Sequence, residues 1–471
     1  MVMRGYARRE LLIITLFMGF SAAIIQVLII REILTLCRGN ELIIGMIYSS
    51  WFLGIYAGAM VKRPSDRNML ERRVLLSMFL LPSAAALSIY LSDFIQVFIP
   101  RDVGTFYSFS AESLFAFILT LPAGFFTGFF FPSIVSLVSA DLKEQSGGTV
   151  FCVESLGSFA GGILFSFLLV EHMNPLGVTS MLLLIAVIII SVRGKRRFLI
   201  LAVIPVILIL FSGGIENKLY TCVWNKTHTG KLIQYSRTKY EKVSIESSGD
   251  TVSVYGNGAL MYTLPDRYES RGIFHLIRSL KCDNRKILLF GSGPGSLLYN
   301  LLRTGIDRLY YFDSDPELWS LILPCARDFY PAYINDRLVV TGQELKHFLK
   351  NSSERFDMII SMPPQPENIM LNRFYTQEFY TLCREHLGEQ GIIICSLHGF
   401  SNYISDDKRD YITSIYAAFS NVFPEHIMTS GETVYLIGAK RKGILPVNTD
   451  SLISGYGKKV QAGKLQPEKE I

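Results

Sequence analysis

The hydrophobic pattern of this chain changes character once, near residue 215. Ahead of that point lie seven apolar runs, at about 11–30, 42–61, 74–99, 113–138, 149–170, 175–192 and 198–214. Each is close to the ~20 helical residues that cross ~30 Å of hydrocarbon. The first run has no small-residue cleavage pattern and more runs follow it, so it reads as a span and not as a removable signal. The last run is the shortest and carries Pro205. The pattern therefore predicts a transmembrane helical domain over 1–215.

Beyond it the period shortens to two. KVSIES and TVSVYGNGALMYTL, punctuated by SSGD and GNG, predict a small β-strand lead-in over 216–264. From 265 to 440 apolar strands (KILLFG, LYYFDSD, RLVVTG, FDMIIS, GIIICSL, ETVYLIG) alternate with amphipathic helices. Such alternation predicts a mostly parallel sheet covered on both faces. Residues 441–471 are basic, contain Gly and Pro and lack periodicity, which predicts a disordered tail.

Composition adds direction to this outline. Half of the 471 residues are hydrophobic, 18% are charged and the mean hydropathy is +0.32, which excludes a purely soluble chain. The net charge of +6 does not point to nucleic acid, because Lys and Arg cluster between apolar runs and in the tail. Thirteen of them lie in the N-terminus and in alternate connections, from Arg4 to Arg197, against three (Arg31, Arg38, Arg101) in the other set. The positive-inside rule then puts the N-terminus in the cytoplasm and, with seven spans, the C-terminal domain outside it. If 198–214 only lies along the surface, that domain is cytosolic. Seven cysteines show no CxxC or Cys/His ligand spacing, so neither a metal site nor a disulfide framework is expected.

Glycines recur four apart at Gly54/Gly58, Gly124/Gly128 and Gly157/Gly161, a spacing that lets helix backbones approach closely. Arg31 and Glu32 end the first run and Glu154 lies in the fifth. Charges at such depth are functional candidates by default. The competing reading places Arg31 and Glu32 at the interface and makes Glu154 structural glue within the bundle.

The richest stretch for chemistry begins with KILLFGSGPGS. Gly291, Gly293 and Gly295 follow an apolar strand and open a helix, and Asp313 comes 22 residues after Gly291. That spacing suits an acid accepting hydrogen bonds from ribose hydroxyls. A ligand-free strand-to-helix turn is the alternative.

These features resemble the spermidine synthase (polyamine aminopropyltransferase) family, in particular bacterial members fused to an N-terminal membrane bundle. The likeness runs through the Gln26–Arg31 region, GNELIIG, WFLGIYAGA and VESLGSFAGGILFSF in the apolar half. In the second half it runs through YGNG, the His275 helix, the glycine loop, FDSDP, DRLVV, and FDMII followed by LNRFYTQEFY. The resemblance implies a Rossmann-like methyltransferase-type domain in the inner membrane of a bacterial-type cell. It also implies a cleft for decarboxylated S-adenosylmethionine or a related nucleoside, with putrescine as acceptor. Asp313 keeps the ribose acid, and Gln343 stands where an acid would meet the adenine amino group. Pro294 replaces the acid of the glycine loop. Where the family carries a DSSDP-type run this chain reads MPPQP, with Met362 and Gln365 at the two acid positions. The Tyr-His-Glu run before the core is absent, Tyr268 and Glu269 being out of register.

Neither Met362 nor Gln365 can take a proton or balance a diammonium substrate. Glu344, Glu367 and His398 are the conceivable substitutes, and Phe374 and Tyr375 could line a pocket or belong to the core. Three readings follow: a catalytically degenerate binding or scaffold module in a membrane assembly, with a membrane protein or a second copy as partner and possession of a nucleoside optional; an active aminopropyl- or methyltransferase; and a transporter with a nucleoside-binding regulatory domain.

Overall fold

The computed structural model describes residues 8–100, 107–142, 146–192, 196–266, 269–280, 285–330, 336–366, 368–399 and 404–446. The tail from 447 onward, Arg101, Lys143, Tyr268, Cys282 and Glu367 lie outside the described residues. The chain divides into two compact units, one of residues 1–244 with 256–259 and one of 245–255 with 260–471.

The first unit is built from long helices: α1 (Arg8–Leu36), α2 (Leu42–Met60), α3 (Arg67–Phe98), α4 (Phe109–Leu142) and α5 (Ser146–Leu164). A π-helical turn, Phe165–Leu169, joins α5 to the short α6 (Val170–His172), and α7 (Pro175–Val192) and α8 (Val203–Thr227) complete it. Among the described residues seven helical stretches are long and apolar enough to cross a membrane, and they coincide with the seven apolar runs. The last is the fullest departure in length: helix continues to Thr227, past the expected boundary at 215. Pro205 falls in its first turn, where no intrahelical acceptor awaits its missing N–H, so the proline starts the helix instead of breaking it. At α3 the start is set by Asp66, whose side chain accepts from the Met69 amide at 3.0 Å.

The paired glycines are contact points. A Cβ on Gly58 would meet the Phe125 carbonyl oxygen at 2.1 Å and one on Gly128 would meet that of Ile55 at 2.0 Å, so α2 and α4 touch backbone to backbone. Gly157 and Gly161 do the same against Leu16 and Phe20, seating α5 on α1. Large apolar side chains face outward elsewhere: Phe52, Phe159, Phe167 and Phe211 are all more than half exposed.

Residues 231–264 carry β1 (Lys231–Arg237), β2 (Lys242–Ser248), β3 (Thr251–Gly256) and β4 (Ala259–Leu264), hydrogen-bonded in meander order. Asn257 and Gly258 both adopt positive φ, 49° and 75°, as a two-residue hairpin turn requires.

The remainder alternates α9 (Glu269–Ser279), β5 (Lys286–Phe290), α10 (Ser296–Leu302), β6 (Arg308–Phe312), α11 (Leu318–Phe329), β7 (Leu338–Val340), α12 (Leu345–Asn351) and β8 (Phe356–Ser361). It continues with α13 (Ile369–Asn372), α14 (Gln377–Glu385), β9 (Leu387–His398), α15 (Asp406–Ser420), β10 (Glu425–Met428) and β11 (Thr433–Ala439). Seven strands form one sheet in the order β10-β11-β9-β8-β5-β6-β7. The strands from β7 to β9 pair parallel, whereas β11 runs antiparallel to β9 and β10 to β11. This is a Rossmann-like, methyltransferase-type α/β domain. The short strand β10 was not anticipated, since EHIM has neither strict alternation nor a long apolar run. Side-chain caps set the starts of α13, α14 and α15: Asn368 accepts from the Leu371 amide, Thr376 from that of Phe379 and Ser405 from that of Lys408.

Candidate functional site

Strand register converges the motifs. Phe290 at the end of β5 pairs with Phe312 of β6 on one side and Ser361 of β8 on the other. The next residue on each strand is therefore Gly291, Asp313 and Met362, side by side at the C-terminal edge of the sheet. The Gly291 amide donates to the Phe312 carbonyl at 3.0 Å, and the Met362 amide to that of Phe290 at 2.8 Å. The edge where parallel strands end is where α/β folds bind ligands.

The glycines here are required by their surroundings. Gly291 has φ +81°, and a Cβ on it would lie 2.5 Å from the Met362 carbonyl oxygen. Gly293 has φ +64°, and its Cβ would strike the ring of Tyr262 at 2.6 Å. Gly295 precedes α10 with φ −101° and has room around it, so it is not held to glycine by these criteria. Ser296 fixes the start of α10 by donating to the Asp266 carbonyl and bonding the Tyr330 hydroxyl.

Asp313 is buried and already engaged. One carboxylate oxygen accepts from the Tyr311 hydroxyl, the other from the Ser314 amide at 2.7 Å and its hydroxyl at 3.2 Å. Burial raises its pKa to about 6, against the pull of those three hydrogen bonds. Asp315 is also buried and accepts from the Glu317 amide at 3.0 Å. Gln343 lies three residues past β7 at the same end of the sheet and is exposed.

The MPPQP loop is a fixed structure. The buried Tyr375 hydroxyl donates to the carbonyls of Pro363 at 3.0 Å and Pro364 at 3.2 Å. The Gln365 side-chain oxygen accepts from the Tyr411 hydroxyl at 2.6 Å and from the His398 amide at 3.3 Å. Phe374 and Tyr375 belong to the core with Phe290 and Phe379, which answers the choice between pocket and core. Of the conceivable substitute acids, Glu344 is paired with Arg373 at 2.9 Å. His398 reaches Gln365 through its backbone amide. Sequence reading missed Tyr262, Tyr311 and Tyr411. Tyr311 could have been found, because it stands two residues before Asp313 on the same strand face; the other two are distant in sequence.

The charged residues of the helical unit have partners of their own. Glu32 is buried and pairs with Arg237 at 2.6 Å and with Lys242 at 2.9 Å. Arg237 also holds Glu216, and Lys242 reaches Asp93 at 2.7 Å. Burial and neighbouring Arg237 both oppose a charge on Lys242, yet Asp93 and Glu32 outweigh them and its pKa is raised. Arg31 donates to two backbone carbonyls, of Thr238 at 2.8 Å and Val170 at 3.5 Å. Glu154 accepts from Ser158 of its own helix at 3.1 Å. Nothing in the sequence pattern flagged Arg237 and Lys242, which lie on strands some 200 residues from Glu32. Among the described residues no group of three or more His, Cys, Asp or Glu is placed to hold a metal ion.

Comparison with known proteins agrees with this arrangement. The family model described as the spermine/spermidine synthase domain matches residues 266–434. A polyamine aminopropyltransferase of Oceanobacillus iheyensis is 23% identical over 366 residues, covering 74% of this chain and 69% of the relative. Polyamine aminopropyltransferase 2 of Aquifex aeolicus is 25% identical over 299 residues, 60% of each chain. Both alignments are longer than the α/β part and so take in some of the helical half. Among solved structures, spermidine synthase with the transition-state analogue AdoDATO aligns at TM-score 0.40 and 16% identity, over 50% of this chain and 89% of that one. Human methyltransferase-like protein 13 with SAH aligns at 0.35 and 16%, over 44% and 96%.

Proposed function

We propose, from the match of residues 266–434 to the spermine/spermidine synthase domain model, that this chain is a multi-pass membrane protein whose α/β domain keeps the nucleoside end of that family's site and has lost the diamine end. The domain would bind an S-adenosyl-type nucleoside, with Gly291 and Gly293 giving its backbone close approach, Asp313 taking the ribose hydroxyls and Gln343 offering an amide to the base. It would act as a binding or scaffold module for a membrane partner or a second copy, not as an aminopropyltransferase.

The observation that carries this reading is the loop beside Gly291. Amine attack needs a carboxylate to hold the ammonium groups and accept a proton, and a positioned base contributes roughly 10²–10⁴-fold. Met362 offers a thioether there, and Gln365 has its oxygen occupied by Tyr411 and the His398 amide. The seven apolar helices and the outward phenylalanines support a membrane setting. Seven crossings with a cytoplasmic N-terminus would put the domain on the face away from the cytosol, where adenosyl donors are made. That location favours the scaffold reading over the transferase.

The test is calorimetric titration of the full chain in nanodiscs with decarboxylated S-adenosylmethionine, alongside a transfer assay with putrescine. The reading expects nucleoside binding and no spermidine. Turnover of putrescine by the unaltered chain would sink it. Installing both acids, Met362→Asp with Gln365→Asp, should create measurable putrescine binding if the frame is intact.

A further inference from the structure

The connection between α2 and α3 concentrates positive charge. Residues 62–73 carry Lys62, Arg63, Arg67, Arg72 and Arg73 against only Asp66 and Glu71. Both acids are already engaged: Asp66 caps α3 at the Met69 amide, and Glu71 lies buried beside Arg67, 3.5 Å away. Arg73 is buried as well. It donates to the carbonyls of Val61 at 3.4 Å, Lys62 at 3.0 Å and Phe129 at 3.4 Å, with its guanidinium 3.7 Å over the Phe129 ring. These bonds fix the extended backbone after α2 against α4.

Three cations of the run remain on the surface. Lys62, Arg63 and Arg72 are exposed, and among the described residues no carboxylate pairs with any of them; Arg63 reaches only the Ser136 hydroxyl, at 3.4 Å. An apolar stripe leads up to them along the outside of α2. Phe52, Tyr56 and Met60 stand four apart, hence on one helix face, and are 62%, 62% and 68% exposed. On α3, Met69, Arg72 and Leu76 share a face by similar spacing, and all three are exposed. Apolar side chains thus face outward up to a line, and unneutralised cations begin at that line.

We propose that the α2–α3 connection binds an anionic phospholipid, its headgroup held by Lys62, Arg63 and Arg72 and its acyl chains laid along Phe52, Tyr56 and Met60. Basic clusters at the end of a spanning helix attract anionic headgroups, and five basic residues less two acidic ones leave a local charge of +3 that the protein itself does not meet. A zwitterionic headgroup brings its own ammonium and gains less. A free phosphate shares the headgroup's charge but leaves the apolar stripe uncovered. The inference rests on the reading that the apolar helices span a bilayer and is independent of whether the α/β domain binds a nucleoside.

The experiment uses the full chain in a sugar detergent stripped of phospholipid. Thermal unfolding is followed on adding short-chain phosphatidylglycerol, phosphatidylcholine of the same chain length, or glycerol 3-phosphate. Phosphatidylglycerol should raise the unfolding temperature at concentrations where the other two do little, and its advantage should shrink as salt rises from about 0.05 M to about 0.5 M. Lys62→Gln with Arg72→Gln should weaken phosphatidylglycerol about thirtyfold, at about 1 kcal/mol for each basic residue removed. Lys346→Gln with Lys350→Gln takes the same charge from α12 and should leave the affinity unchanged. Neither Lys62 nor Arg72 spends its side chain on the protein, so the variant should fold; if it does not, the salt dependence of the unaltered chain still decides. Equal stabilisation by the two lipids, equal losses in the two double variants, or a glycerol 3-phosphate effect matching that of phosphatidylglycerol would each overturn the proposal. A chain that stayed in solution without detergent would overturn the membrane reading first, and the proposal with it.

Discussion

The two halves of this chain distribute charge in opposite ways. The helical unit carries Glu32, Asp93 and Glu216 on three different helices, the two glutamates buried, and answers them with Arg237 and Lys242 from the strands that follow. The α/β unit has the uncharged Met362 and Gln365 in the loop at the C-terminal edge of its sheet. A buried carboxylate is tolerated when a counter-charge is built to meet it, and an empty position is tolerated when neighbours close on it. Tyr375 and Tyr411 do the closing. The contrast teaches that the number of charges in a region says less than whether each one has a partner.

The strongest way to break the comparison is to remove Arg237. Arg237→Met would strand Glu216 and leave Glu32 with Lys242 alone, and leaving a buried charge unpaired costs about 3–5 kcal/mol. Thermal unfolding of the full chain in nanodiscs should show a large drop. Adding Glu216→Gln to that variant should recover part of it, and a lack of recovery would show that the pairing is not what stabilises the unit.

Asp313 sets the opposite sign. Its folded pKa of about 6 lies above the ordinary carboxylate value, so the folded domain holds the proton more tightly than the unfolded chain. The penalty is absent below about pH 4 and complete above about pH 6; at 1.4 kcal/mol per unit it is on the order of 2–3 kcal/mol. Asp313→Asn should therefore stabilise the ligand-free chain at pH 7 and leave it unchanged near pH 4. The same variant should weaken nucleoside binding. In the unaltered chain that binding should strengthen as pH rises through 6, because the ionised carboxylate is the acceptor. A pH-independent affinity would remove Asp313 from the site.

Gly128→Leu tests the helix contacts. Overpacking ordinarily costs about 1–3 kcal/mol, and a side chain aimed at the Ile55 carbonyl from 2.0 Å should reach the upper end. The readout is loss of a monodisperse peak or a lower unfolding temperature. Tyr411→Phe is the gentlest change. It deletes one hydrogen bond to Gln365 and should cost about 1 kcal/mol, measurable by unfolding, while loosening the loop enough for hydrogen exchange near residue 365 to rise.

Much of the architecture could be read from the chain. Seven runs of spanning length became seven helices because burying or greasing a helix of that length demands near-continuous apolar residues. The glycine pairs marked the helix contacts because only glycine permits that approach. Alternating strands and helices gave the parallel part of the sheet, and Gly291, Gly293 and Asp313 marked its C-terminal edge, because turn geometry and spacing are local properties. The helical end at Thr227 escaped, since polar residues after Ser212 end the apolar signal without ending the helix. The antiparallel return of β11 and the short β10 escaped too, because pairing direction is a long-range choice.

What the sequence determined was thus where apolar surface must be hidden and where the backbone must bend. Only the tertiary structure decided who answers whom: that Arg237 and Lys242 meet Glu32, that Tyr311 occupies Asp313, and that Tyr375 and Tyr411 hold the MPPQP loop. Electrostatic and hydrogen-bond partners are set by distances between residues far apart in the chain, and no local pattern encodes those distances.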